Sequence, residues 1–177
     1  MTLQASDAST AQRILLATAV WVGLSGATWA NQQLIVERMP GDTAAAVSVV
    51  LWIAAVVVAT LVVFLLAGKR PLPGRLRWTA RTVVPLALQL WLLSFAVYGL
   101  KVISVECFAP LLLAGTAPMP AWRIRKSHAG WAAGLTMAVA AFPALAFPGT
   151  GPWLLGGTCI LLLLLAQGVR KSTDEVL

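Results

Sequence analysis

Residues 44–67 read AAAVSVVLWIAAVVVATLVVFLLA, preceded by Pro40-Gly41-Asp42 and closed by Gly68-Lys69-Arg70-Pro71. The stretch carries no charge from end to end. A helix needs about 20 apolar residues to cross the hydrocarbon core of a bilayer. Lipid offers the backbone no hydrogen bonds, so a segment of this kind is a spanning helix whose amides pair internally. Working outward from it, five further apolar runs appear at 14–30, 82–100, 102–122, 129–147 and 153–169. The division between the third and fourth spans is marked only by Gly99-Leu100-Lys101, which predicts a very tight turn. The expected fold is an all-α integral membrane protein of six transmembrane helices.

Composition agrees. Of the 177 residues 59% are apolar and 11% charged, with a mean hydropathy of +0.85. Soluble domains are about 45–50% apolar and about 25% charged. A disordered chain, a nucleic-acid-binding tail and an ordinary soluble enzyme are excluded. The net charge of +7 then reads as orientation, not as a nucleic-acid partner. Six alternating spans put Arg13, Lys69, Arg70, Arg75, Arg77, Arg81, Arg123, Arg125, Lys126, Arg170 and Lys171 on one side. Arg38 and Lys101 alone fall on the other. Basic residues are retained in the cytoplasm, so both termini are expected there. Fusing spans three and four would destroy this asymmetry, which supports the division. The first span is read as a retained helix in place of a cleaved leader, because its apolar run exceeds the usual 7–15 residues and its polar lead carries Asp7. The expected organisation is a tail over 1–13, five helices over 14–147, a sixth over 152–169 and a tail over 170–177.

Polar groups inside spans are the candidate site. Glu106 is the one acidic residue within a predicted span, and Pro110 follows four residues on. Proline lacks an N–H, so the Glu106 carbonyl loses its helical partner and a bend is expected. A carboxylate beside a free carbonyl can hold a cation or proton; the plainer reading is that Glu106 snorkels to the interface or pairs with Lys101. Trp91, Ser94, Tyr98 and Lys101 share one face of span three, with Gln89 nearby, and could line a substrate path. The alternative makes Tyr98 and Lys101 interfacial anchors. Thr18, Ser25, Thr28 and Gln32 share a face of span one, where hydroxyls often bond only their own backbone. Gly130 and Gly134 form a GxxxG for close helix packing within the chain.

Enzymatic chemistry finds little support. The single histidine, His128, sits in a basic loop without a matching serine, no metal-ligand cluster or phosphate loop is present, and no cofactor is implied. Cys107 and Cys159 both lie in apolar runs and read as small hydrophobes.

The order of features resembles one repeat of the drug/metabolite transporter superfamily, EamA-like branch, over 14–147. Residues 14–34, ILLATAVWVGLSGATWANQQL, are similar to its opening helix. Residues 75–118, RLRWTARTVVPLALQLWLLSFAVYGLKVISVECFAPLLLAGTAP, resemble its third and fourth helices, with GLKVIS at 99–104 the closest match and Pro118 as the closing proline. Residues 127–147, SHAGWAAGLTMAVAAFPALAF, are similar to the fifth. The family's Trp-Gly pair is split here as Trp21-Val22-Gly23, and Arg123-Ile124-Arg125-Lys126 replaces a Gly-Glu pair. The resemblance implies transport of a small metabolite, amino acid or drug, by efflux, across the cytoplasmic (inner) membrane. Such transporters pair two inverted repeats around a midplane site. A single repeat plus one helix therefore implies a second copy in a homo-dimer, a separate half-transporter subunit, or a longer chain; the charge bias argues against dual insertion. The alternative expectation is a non-transporting membrane subunit, anchor or immunity-type protein.

Overall fold

The computed structural model describes residues 5–68, 70–100, 107–124 and 128–174. Every regular element among them is helical: α1 (Ala5–Arg38), α2 (Gly41–Leu66), α3 (Leu72–Ser94), α4 (Phe108–Thr116), α5 (Pro118–Arg123), α6 (His128–Ala146) and α7 (Gly151–Asp174). Five helical segments are long and apolar enough to cross a membrane: Ser9–Arg38, Gly41–Leu66, Leu72–Val97, His128–Ala146 and Gly151–Val169.

Helix α1 is the central post. It packs along α7 and α2 and also touches α4, α5 and α6. Small residues allow this. A Cβ on Gly26 would stand 2.8 Å from the Leu155 Cβ, and one on Gly23 would stand 2.9 Å from Cys159 Sγ. Ala19, Gly23, Gly26 and Ala30 form a small-residue stripe at helical spacing, which lets the α1 and α7 backbones approach. The outer helices show the reverse pattern. Val50, Val58 and Leu65 of α2, Leu135 and Phe142 of α6, and Ile160 and Leu164 of α7 are exposed. In lipid these side chains face hydrocarbon and need no protein cover.

Local chemistry sets the ends. Pro40 precedes α2 with ψ 146°, and Asp42 lies in its first turn, where a carboxylate complements the helix dipole. At the far end Gly68 takes φ +69°, the left-handed conformation that stops helices. Two arginines from neighbouring helices reach the carbonyls of this last turn. Arg13 Nη1 donates to the Ala67 carbonyl at 3.0 Å, and the Arg75 guanidinium lies over the Phe64 ring at 4.2 Å and reaches the Phe64 carbonyl. Helix α3 ends by widening: Phe95–Gly99 is a π-helical turn closed by Leu100 N–H to the Phe95 carbonyl.

Three expectations need adjusting. The fourth span, among the described residues, is divided into α4 and α5, but the backbone stays helical through Ala117, with φ −52°, ψ −41° and its N–H on the Leu113 carbonyl; Pro118 and Pro120 interrupt the hydrogen-bond ladder by withdrawing two N–H donors. Pro110 lies in the first turn of α4, where an N–H would be unpaired anyway, so it does not bend a helix interior there. At the N-terminus α1 runs back to Ala5, and Ala11 is fully packed; nothing between 5 and 14 breaks a helix, so this part of the expected tail is helical.

Candidate functional site

A groove of about 680 Å³ opens between the second half of α1, the first half of α2 and the second half of α3. Its shape follows from side-chain size. Gly41, Ala44, Ala45, Ser48 and Ala87 are small, while Trp52 and Trp91 stand around them as walls. Its lining is almost wholly apolar, with polar atoms from Gln32, Ser48, Trp52 and Ser94. Trp52 Nε1 donates to Gln32 Oε1 at 2.9 Å, tying α1 to α2 across the groove. Behind this pair Phe108 of α4 sits between two indoles, 5.4 Å from Trp52 and 5.7 Å from Trp29. The aromatic wedge holds Trp52 in place from the core side.

One group in the groove lacks a partner. Ser48 is 6% exposed, and its Oγ has no hydrogen bond among the described residues. A buried hydroxyl left unpaired costs about 1–3 kcal/mol. Thr79 Oγ1 of α3, away from the groove, is buried and unpaired in the same way, whereas Thr18, Thr60, Thr82, Thr116 and Thr136 each donate to the carbonyl four residues back.

The residues singled out from sequence separate into groups. Trp91 and Ser94 line the groove, with Trp91 stacked on Phe95 at its mouth. Gln89 points elsewhere: its Nε2 donates to the Leu112 carbonyl at 3.0 Å and its Oε1 accepts from Thr116. It clamps α3 to α4. Ser25 and Thr28 are buried on α1, two turns and one turn before Gln32 respectively. Gly130 and Gly134 seat α6 on α5, where a Cβ would stand 2.8 Å from the carbonyl oxygens of Pro120 and Ala117 respectively. Glu106 and Lys101 lie outside the described residues, as does the side chain of Tyr98. Ser48 and Trp52 were not singled out in the sequence, since a lone serine or tryptophan in so apolar a run has no periodic partner. Their signal was the run of small residues around Ser48.

A second polar cluster forms midway along α3. Pro85 interrupts α3 from within. Its missing N–H leaves the Arg81 carbonyl, four residues back, without its helical donor. Arg123, at the end of α5, supplies one: Nη2 donates to the Arg81 carbonyl at 3.1 Å, and Nη1 donates to Thr82 Oγ1 at 2.7 Å. Burial and the neighbouring Arg81 charge both push the Arg123 guanidinium below its ordinary value.

Among the described residues no group of three or more His, Cys, Asp or Glu side chains could hold a metal. Comparison with protein-family models, curated proteins and solved structures finds no match to this chain. Fold and surface together define its class: a multi-pass helical membrane protein.

Proposed function

We propose that this chain carries a small metabolite, amino acid or drug across the membrane, with the α1–α2–α3 groove as its solute path. The observation that carries the reading is the groove itself, an apolar concavity between three helices with a few polar residues, Gln32, Ser48, Trp52 and Ser94, along its lining. Ligand sites are mostly apolar clefts of about 300–1,000 Å³ with a few placed polar groups. This groove has that size and that composition. Trp91 and Ser94, at its α3 wall, fit the path read from the sequence.

The proposal includes six spans with both ends in the cytoplasm. Support comes from where arginines reach neighbouring helices. Arg13 touches the end of α2, and Arg123, at the end of α5, touches Arg81 and Thr82 midway along α3. The α4–α5 passage runs antiparallel to α3, since Gln89 meets Leu112 while Thr82 meets Arg123. Arg13 of α1, Arg75 and Arg81 of α3 and Arg123 of α5 thus lie toward one end of the bundle, as retention in the cytoplasm would place them. Glu106 is kept as the coupling residue, and the drug/metabolite transporter resemblance supplies the model of alternating access. A second copy or a second half-transporter subunit would close the groove's open side.

Reconstitution into liposomes tests this. Flux of a panel of labelled amphipathic cations and neutral amino acids is compared for the native chain, Ser48→Leu and Glu106→Gln. The proposal expects flux of at least one solute, abolished by filling the groove at Ser48 and reduced by Glu106→Gln. Absence of flux for every solute would favour a non-transporting membrane subunit. Native flux in Glu106→Gln would remove that residue from the mechanism.

A further inference from the structure

We infer that the Arg81–Arg123 cluster is a binding site for the phosphate of an anionic phospholipid. Ala80, Arg81, Val84, Pro85, Trp122 and Arg123 line one open cavity on the outer face of α3 and α5. Two guanidinium groups share it, close enough that the Arg81 charge acts on Arg123. Like charges brought together and partly desolvated need an anion. The carboxylates whose side chains are described within α1 to α3, Glu37 and Asp42, stand at the opposite end of α1 and α2.

The position specifies the anion's source. Arg123 is fixed by the carbonyl that Pro85 frees and by Thr82, so one guanidinium is held rigidly while exposed Arg81 is left to close on a ligand. Val84 and Trp122 are well exposed beside them. An apolar strip running from two arginines down a spanning helix matches a phosphate above an acyl chain. Basic pockets between spanning helices on the cytoplasmic side bind anionic headgroups by this chemistry. The inference needs the chain to cross the membrane but does not depend on transport.

Native mass spectrometry of the full chain, released from micelles doped with phosphatidylglycerol or with phosphatidylcholine of the same acyl chains, tests it. The native chain should retain phosphatidylglycerol preferentially. Arg81→Gln, which removes an exposed side chain and leaves the Arg123 bonds intact, should cut that preference about fivefold, the weight of one basic residue at an anionic surface. Arg77→Gln, outside the cavity on the same helix, should leave it unchanged. Equal retention by native chain and Arg81→Gln would overturn the site, as would an equal loss in Arg77→Gln, which would mean diffuse charge. Displacement of the lipid by millimolar inorganic phosphate would overturn the lipid assignment.

Discussion

The Trp52–Gln32 hydrogen bond is the contact on which the groove's geometry most depends, and its strength can be measured. It joins residues twenty apart in sequence on two consecutive helices, at 2.9 Å. Hydrogen bonds between membrane helices average about 0.6 kcal/mol in double-mutant cycles, with a maximum of about 1.7. Trp52 is also held against Phe108, so its indole keeps its place when the acceptor is removed. That fixed donor should put the coupling toward the upper half of the range, about 1 to 1.7 kcal/mol. The perturbations are Trp52→Phe, which keeps an aromatic ring and deletes the N–H, and Gln32→Leu, which deletes the acceptor. Each single variant also loses whatever else its side chain does, so the pair term comes from the full cycle. Reversible unfolding in mixed micelles, followed by far-UV circular dichroism to avoid the changed indole count, gives the four stabilities. A coupling indistinguishable from zero would refute the reasoning, because the two side chains would then not meet across the groove.

Three further outcomes follow from the packing. Gly134→Val should destabilise the bundle by about 1–3 kcal/mol, the cost of overpacking a close contact, because its Cβ meets the Ala117 carbonyl oxygen at 2.8 Å; an unchanged unfolding midpoint would contradict this. Gln89→Leu should lower stability by about 1–2 kcal/mol by removing the amide that ties α3 to the Leu112 carbonyl and Thr116, although Thr116 keeps its own bond to Leu112. In a flux assay it should leave the apparent KM unaltered, whereas a raised KM would return Gln89 to the path. Arg13→Met should cost about 0.3–1 kcal/mol through the lost charge at the α2 C-terminus, and the native protein's margin over the variant should shrink as salt is raised.

The fold class was legible because its determinant is local: length and apolarity of a segment suffice to name a spanning helix. Charge placement added an expected orientation, and Arg13 does reach the C-terminal end of α2. The interrupted hydrogen-bond ladder between α4 and α5 was less legible. Pro118 and Pro120 were in view, but the apolar run continues across them, and hydropathy does not register a missing N–H. The candidate site was read in part. Periodicity found the Trp91–Ser94 face, yet it grouped Gln89 nearby without telling that its amide faces α4. Ser48 and Trp52 escaped because their meaning lies between helices, in the concavity that small side chains on two helices leave. The α1 glycines escaped for a related reason. Gly23 and Gly26 are spaced three apart, and only with Ala19 and Ala30 do they form the stripe against α7.

The central claim is that the groove beside Ser48 is a solute path and not a lipid-filled crease. Thiol accessibility tests it most directly. In a chain with Cys107 and Cys159 replaced by alanine, cysteine is placed at Ser48 in the groove and, as a control, at Val58, which is exposed on α2 but does not line the groove. A charged, water-borne thiol reagent is applied to intact proteoliposomes. The account predicts modification at position 48, slowed by a transported solute, and none at position 58. Failure of the reagent to modify position 48, or equal labelling at both positions, would contradict it.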